Sequence, residues 1–349
     1  MKKFIENNLW GSSVAIAIGV AYLIGLLSVY FFKEYGWTVF VLVPFLLGLL
    51  PTLIHSSIQA LTTKQSLKLG LTTLGIFCFT TLLFALEGII CIIMASPILA
   101  LFTMIGSVIG TAIVENYGSS SKQLYSIVLL PIIFIMMDVS IDSKEYLAVK
   151  TTIEIAAPID KVWNQIVSFG TIEEPDEWLF KTGIAYPTDS KIKGRGVGAV
   201  RYCNFTTGSF VEPITVWEAP TLLKFDVLDQ PIPMRELNPF WEVHPPHLDG
   251  YFQSKKGQFK LIELDNGTVK VEGTTWYHIH IHPVPYWDFW SKFILHEIHF
   301  RVLKHIKKES EKKSPSMIGS MRSLRKVERA SDLLNLKDLL NSENLANLR

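Results

Sequence analysis

Histidines are concentrated in the last third of the chain, where every one of the nine except His55 follows residue 243. Histidine titrates near neutral pH and is a common metal ligand, so acid–base or metal chemistry is the first hypothesis. The run His278–His282 alternates histidine with isoleucine, which places three imidazoles on one face of a strand. We expect the isoleucine face to be core and the imidazoles to face solvent.

A metal site would need donors from a second element, and His296 and His299 have the i, i+3 spacing for that. The helix that carries them is expected to pack on the concave face of the sheet, behind the His278–His282 imidazoles. No cysteine or carboxylate pattern adds to these histidines, and the three cysteines suggest no disulfide framework. The sequence therefore predicts no metal site and no cofactor.

A predicted hairpin gives a second candidate site. Closing it at Thr207-Gly208 would pair Phe205 with Phe210 and make Arg201 and Glu212 diagonal neighbours on one strand face. If that face is concave, the two charges compensate each other in an apolar cavity and can bind the polar head of a ligand. If it is convex, they form an exposed contact that contributes little. Both alternatives stay open.

The elements that would position these residues follow from the hydrophobic periodicity. Residues 149–155 alternate like a strand, and residues 159–169 place apolar side chains on one helical face. Strand-like runs follow at 198–205, 209–217, 222–228, 251–264 and 268–281, with Asn266-Gly267 as a second hairpin signal. A long amphipathic helix from about Tyr286 to Glu311 closes the domain. This order predicts an α+β helix-grip fold, an antiparallel sheet wrapped on a long C-terminal helix.

Residues 152–163, TIEIAAPIDKVW, resemble the opening of the SRPBCC superfamily, which includes START, polyketide cyclase and birch-pollen-allergen relatives. Residues 196–203 and 273–277 look like the membrane-anchored members that are described as polyketide cyclase-like. The resemblance extends over roughly 149–310 and implies a hydrophobic cavity for a lipid, sterol, polyketide or other apolar ligand. It implies no single reaction, because members of the superfamily include transporters, receptors, cyclases and oxygenase domains.

A proline-rich connection at 230–248 is expected to cover the mouth of the cavity or to rest on the bilayer, with an ordinary packed loop as the alternative. Its aromatic and histidine side chains join those of the strands as candidate liners. The predicted ligand-binding residues are Arg201, Tyr202, Cys203, Phe205, Glu212, Trp217, Trp241, His244, His247, Trp276 and Tyr277.

The first 140 residues are of a different kind, with few charges and long apolar runs. Runs at 12–32, 37–61, 69–86 and 88–114 are long enough for a bilayer, which needs about 20 apolar helical residues. Ser96-Pro97 in the fourth run predicts a kink or a re-entrant turn. A fifth run, 124–137, is short for a straight span. We predict a transmembrane bundle of four or five spans over 1–140, a domain over 148–311, and a basic, partly disordered or amphipathic tail over 312–349.

Positive charges suggest an orientation. Lys2, Lys3, Lys64 and Lys68 predict that the N-terminus and the loop between the second and third spans face the cytoplasm. Four spans would leave the soluble domain inside and five would place it outside. The sequence favours a cytoplasmic domain on an inner or plasma membrane protein, and the basic tail would suit an anionic leaflet.

Two features of the apolar block admit functional interpretations. Glu87, between two apolar runs, is either solvated at the membrane interface or buried with a polar or proton-handling role. Small residues at four-residue spacing indicate packing within the bundle, with a homodimer seam as the alternative. These residues are Gly11, Ala15 and Gly19, and separately Gly106 and Gly110.

Two functions are consistent with these patterns. The first is a membrane-tethered module that binds or transfers an apolar small molecule or lipid, with the bilayer as its other partner. The second is a cyclase- or dehydratase-like enzyme that uses Arg201, Glu212, His244 or His247 for acid–base chemistry. We favour binding because no Ser-His-Asp order, phosphate loop or metal spacing is present. The net charge of +1 gives no sign of a nucleic-acid partner.

Overall fold

The structure is a computed structural model that describes residues 8–117, 122–140 and 146–312. Five helices come first. They are α1 (Leu9–Leu26, continued by π turns over Leu27–Phe31), α2 (Val43–Ser56, preceded by a π segment at Thr38–Leu42), α3 (Thr63–Leu83), α4 (Ile89–Tyr117) and α5 (Lys122–Ser140). Four helices are long and apolar enough to cross a membrane, namely Leu9–Phe31, Thr38–Ser56, Thr63–Leu83 and Ile89–Asn116. The tail predicted over 312–349 lies outside the described residues, apart from Lys312.

Local sequence explains how these helices begin and pack. Thr62 and Gln65 form a capping box at the start of α3. Helix α4 continues through Pro97 without a break, so the predicted re-entrant turn is wrong. A Cβ atom at Gly106 would overlap the backbone of α2 at Phe45, so this glycine is what permits the close approach of α4 to α2. Packing within the chain is therefore confirmed for the Gly106 face.

The second part of the chain contains β1 (Leu147–Ile155), α6 (Ile159–Val167), β2 (Pro187–Lys193), β3 (Val200–Phe205), β4 (Gly208–Glu218), β5 (Leu222–Asp226), β6 (Phe252–Glu263), β7 (Val269–Ile279) and α7 (Val284–Glu311). The strands form one antiparallel sheet in the order β1-β7-β6-β5-β4-β3-β2. The sheet curls around α7, which is consistent with the predicted helix-grip fold. Strand β2 was not predicted.

The register of the β3–β4 hairpin differs from the predicted one. Phe205 pairs with Gly208 and Arg201 pairs with Glu212. The predicted pairing was therefore wrong by two residues, because the two turn residues precede Gly208. A shift of two keeps every side chain on its predicted face, since strand side chains alternate with a period of two. It makes Arg201 and Glu212 direct neighbours instead of diagonal ones.

The histidines near the end of β7 are more buried than predicted. His278 and His282 are both buried, and only His280 of the three is exposed. The segment after β7 lies against the helical block, where the backbone N–H of His282 donates to the Tyr35 carbonyl at 3.0 Å. The prediction that all three imidazoles face solvent was therefore wrong, because it ignored the neighbouring helices.

The helical block and the sheet domain share one apolar core at their junction. Phe40 before α2 and Met94 of α4 belong to the same buried cluster as Tyr277 of β7 and Trp287 of α7. The rings of Phe40 and Trp287 lie 4.8 Å apart, centroid to centroid, in an edge-to-face arrangement. The domain thus packs on the ends of the apolar helices.

Candidate ligand-binding cavity

A cavity of about 210 Å³ lies between the concave face of the sheet and α7. Phenylalanines from four strands form the sheet side, because alternate residues of each strand face the helix. These phenylalanines are Phe205, Phe210, Phe225 and Phe259. Helix α7 presents apolar residues at three- and four-residue steps, which places them on one face. They are Ile294, Leu295, Ile298 and Val302. The walls therefore suit an apolar ligand.

One ion pair is embedded in this apolar wall. Arg201 is 2% exposed, and its Nη1 donates to Glu212 Oε2. The guanidinium carbon lies 5.5 Å from the ring centroid of Phe225 and 5.6 Å from that of Phe259. Burial acts to lower the pKa of Arg201, but the adjacent Glu212 carboxylate outweighs it and the pKa lies above its ordinary value. Arg201 is therefore charged in the cavity wall, as the concave alternative requires.

Arg201 also has an unused donor. Its Nε is buried and has no hydrogen-bond partner among the described residues. A buried N–H without a partner costs free energy that a ligand oxygen can recover. The arrangement can therefore hold the polar head of an otherwise apolar molecule.

A histidine forms a second polar point in the wall. His299 Nδ1 lies 3.0 Å from Thr151 Oγ1, and its Nε2 lies 2.8 Å from Thr275 Oγ1. Burial lowers the pKa of His299 to about 4, with a smaller contribution from His296. The imidazole is therefore neutral near pH 7 and is held between two hydroxyl groups.

Five of the predicted ligand-binding residues line the cavity. They are Arg201, Cys203, Phe205, Glu212 and His247. Tyr202 and Trp276 do not line it, because each lies next to an inward-facing residue and strand alternation turns it to the convex face. Trp217 packs against Trp163 instead, with ring centroids 5.6 Å apart.

Three further predicted residues also lie outside the wall. Tyr277 is fully buried, but its hydroxyl donates to Asp288 Oδ1 at 2.6 Å in the core between β7 and α7. His244 is exposed and pairs with Asp249. Trp241 is exposed as well, and its Nε1 donates to the Leu83 carbonyl at 2.9 Å. The connection at 230–248 therefore docks partly on the end of α3.

Residues that were not predicted from the sequence also line the cavity. Cys91 and Met94, both from α4, form part of its wall. A second cavity, of about 150 Å³, lies among the apolar helices. The two cavities share wall residues at the junction, namely Cys91, His247, Ile281 and Trp287. No local spacing could have linked Cys91 to His247, because 156 positions separate them.

No protein-family model matches the chain, and no curated protein matches it. Solved structures with some similarity include a protein of Nitrosospira multiformis, at 17% identity over 49% of this chain and 99% of that chain, with a TM-score of 0.31. A truncated norcoclaurine synthase of Thalictrum flavum is 13% identical over 50% of this chain and 100% of its own, with a TM-score of 0.32. The Aha1 dimer of Colwellia psychrerythraea is 17% identical over 47% and 96%, with a TM-score of 0.29. Similarities at this level carry no functional inference for this chain.

Proposed function

We propose that this chain is an integral membrane protein whose helix-grip domain binds an apolar small molecule or lipid and exchanges it with the bilayer. The observation that carries the proposal is the composition of the cavity wall, in which Cys91 and Met94 of an apolar helix stand beside the sheet and α7. The cavity of a soluble carrier would need no wall residues from an apolar, membrane-length helix. Here the ligand site adjoins the part of the chain that is long and apolar enough to cross a membrane.

The second cavity would give the ligand a route between the bilayer and the cavity of the sheet domain. It lies among the apolar helices and shares four wall residues with the sheet cavity. Movement of Trp287, which belongs to this shared wall, would connect the two volumes. An apolar molecule could then pass from the bilayer to the sheet without crossing water, where its transfer is unfavourable.

The polar groups in the wall suggest the class of ligand. Arg201 Nε is an unpartnered donor inside an apolar wall. It would select an apolar molecule with one oxygen acceptor, such as a carbonyl, hydroxyl or carboxylate group, over a plain hydrocarbon. Glu212 would stay paired with Nη1 of the same guanidinium.

The arrangement of the helices supports five crossings. Helix α5 follows α4 in the chain and ends next to the start of the second span. There, Asp138 accepts hydrogen bonds from the backbone N–H groups of Trp37 and Thr38 at 2.7 and 2.9 Å. The apolar run of α5 is short for a straight span, but the whole helix of 19 residues, with Lys122 at one end and Asp138 near the other, is about 28 Å long at the α-helical rise. It would therefore return the chain across the membrane.

The sheet domain is attached at that same face. Tyr251 donates to the Lys33 carbonyl, in the turn between the first two spans. Lys64 and Lys68 lie at the opposite ends of the helices, at the start of α3. If those lysines face the cytoplasm, the domain lies on the other side. This is the five-span alternative, not the cytoplasmic location that the four-span count favours.

A reporter that is active only outside the cytoplasm, fused after Glu311, tests this orientation. Activity there, together with inactivity of the same reporter inserted in the loop before Lys64, supports the five-span arrangement. The reverse pattern contradicts it.

An enzyme remains the second candidate, because the ion pair and His299 lie in one cavity wall. Glu212→Gln, with bound molecules measured per amount of folded protein, would separate the two functions. A binding protein would lose affinity without changing the chemical structure of the bound molecule, whereas an acid–base enzyme would accumulate unconverted substrate in its cavity.

The binding function is tested by extracting the full chain, purified in detergent, with organic solvent and analysing the extract by mass spectrometry. Near-stoichiometric recovery of one class of apolar molecule with an oxygen-bearing head supports the proposal. If the extracts contain no bound apolar molecule in any of the detergents and lipid mixtures used, the proposal is contradicted.

A further inference from the structure

Four side chains with metal-ligating atoms meet at the wall between the two cavities. Glu87 lies in the turn before α4, Cys91 lies in the first turn of α4, and Glu236 and His247 come from the connection at 230–248. A donor atom of Glu87, one of Cys91 and one of His247 all lie within 4.8 Å of each other. Glu236 lies beside this group, and its Oε1 accepts a hydrogen bond from the Cys91 thiol at 2.5 Å.

The imidazole of His247 stands between these donors. Its Nε2 lies 3.1 Å from Cys91 Sγ and 3.9 Å from Glu236 Oε1. Its Nδ1 lies 3.6 Å from Glu87 Oε2. Tyr35 supports the group from outside, because its hydroxyl donates to Glu87 Oε1 at 3.2 Å. Such outer hydrogen bonds orient ligands in many metal sites.

Three polar atoms of these side chains have no hydrogen-bond partner within the described ranges. Glu87 Oε2, Glu236 Oε2 and His247 Nδ1 are buried and have no hydrogen-bond partner in the described part of the chain. The Glu236 side chain is completely buried. Over the described residues, no lysine or arginine lies within 4 Å of either carboxylate. Two carboxylates in such a place are costly unless a cation compensates them, and among the described basic side chains only His247 pairs with them.

The backbone holds the two segments together before any ion binds. The Ile89 N–H donates to the Leu237 carbonyl at 2.8 Å, and Asn238 Nδ2 donates to the Leu82 carbonyl at 2.9 Å. A Cβ atom at Gly88 would overlap the Glu236 side chain, so glycine is required for this approach. Two hydrogen bonds to backbone carbonyls thus hold the turn before α4 against the connection at 230–248.

We propose that Glu87, Cys91 and His247 bind a divalent transition-metal cation beside the Glu236 carboxylate, and that Zn²⁺ is the ion they suit best. One thiolate, one imidazole and carboxylates are a donor set that zinc accepts. Zinc bonds of about 2.0–2.3 Å in a tetrahedron separate the donors by about 3.5 Å. The 3.1 Å between His247 Nε2 and Cys91 Sγ is close to that value, and one donor atom each of Glu87, Cys91 and His247 lies within 4.8 Å of the others.

Binding would release the thiol proton of Cys91 to solvent and form the metal–sulfur bond. It would also tie the turn before α4 to the connection at 230–248. The ion would therefore brace the wall that separates the two cavities, a structural role that does not depend on which molecule the cavities hold.

The test uses the full chain in detergent, with Co²⁺ as a spectroscopic probe and Zn²⁺ as its competitor. We expect one Co²⁺ per chain with a thiolate-to-cobalt charge-transfer absorption, and its displacement by Zn²⁺. Cys91→Ser should abolish the absorption, whereas Cys78→Ser and Cys203→Ser serve as matched controls and should retain it. His247→Gln should weaken binding by at least about 10-fold.

A measurement on the unaltered chain protects the test against variants that misfold. Zn²⁺ should protect Cys91 from alkylation, as read from the modified peptides, and leave the labelling of Cys78 unchanged. The proposal is overturned if Co²⁺ does not saturate at one per chain or its charge-transfer absorption survives Cys91→Ser. Equal alkylation of Cys91 with and without Zn²⁺ overturns it as well.

Discussion

Arg201 lies directly opposite Glu212 in the β3–β4 pair, and the two side chains form an ion pair inside the wall of an apolar cavity. Taking two charges out of water is costly, and only their mutual attraction and hydrogen bonding offset that cost. The pair is therefore sensitive to the loss of either partner.

Glu212→Gln should destabilise the protein by roughly 3–5 kcal/mol, because it leaves the buried Arg201 charge without compensation. Denaturant unfolding of the purified chain measures this change. The double variant Arg201→Met with Glu212→Leu removes both charges and should recover most of the lost free energy. A Glu212→Gln protein as stable as the unaltered one would mean that the pair is solvated.

His299 should make stability depend on pH. Its pKa of about 4 in the folded state lies below the ordinary value of 6.5, so the unfolded chain binds more protons between these values. The free energy of unfolding should fall as pH is lowered from 6.5 towards 4, by up to about 1.4 kcal/mol per pH unit. His299→Gln should flatten this part of the profile, whereas the exposed His244→Gln should not. An unchanged slope in His299→Gln contradicts the assignment.

Gly257 should tolerate no side chain. A Cβ atom there would overlap the ring of Phe225, which packs beside Arg201 in the cavity wall. Gly257→Ala should therefore cost about 1–3 kcal/mol of stability, the usual range for overpacking. Gly170→Ala is the matched control, because nothing lies within 4 Å of a Cβ atom at that position. Equal thermal midpoints for the two variants would show that the ring moves aside without cost.

Gly106 should be similarly critical in the apolar block. Gly106→Val would collide with the α2 backbone, at the Phe45 carbonyl and Leu49 nitrogen, and backbone atoms cannot move aside as a side chain can. We expect a loss of at least about 1–3 kcal/mol. Gly19→Val is the control, since a Cβ atom at Gly19 meets nothing within 4 Å. Thermal unfolding in detergent compares them, and equal stability would contradict this packing.

The same control examines the homodimer prediction. The face that carries Gly19 has no neighbour within the described helices, so it remains available to a second copy. A dimer through this face should dissociate in Gly19→Val, as measured by the mass of the protein–detergent complex. A dimer that persists in this variant uses another surface.

Much of the fold was predictable because its signals are local. Periodicity located β1, β3 to β7 and the long last helix, and length and hydropathy located the four apolar helices. The register of Arg201 against Glu212 was predicted with an error of two residues, because the turn residues precede Gly208. The strand face of each side chain was still predicted correctly, because it depends only on the alternation of side chains along the strand.

The junction was not predictable, because its contacts join distant parts of the chain. The sequence predicts no metal site, because Cys91 and Glu236 are 145 positions apart and no spacing rule connects them. The burial of His278 and His282 likewise follows from packing beside the helical block. Glu87 was the single sequence signal that pointed there, as a carboxylate between apolar runs.

The most direct measurement compares the bound apolar molecule in Ser291→Trp and Lys304→Trp, two variants of the same helix α7. Ser291 lines the cavity, whereas Lys304 is exposed and does not line it. Mass spectrometry of organic extracts, normalised to folded protein, should find the molecule depleted in Ser291→Trp and retained in Lys304→Trp. Equal amounts in both variants would contradict binding in the cavity between the sheet and α7.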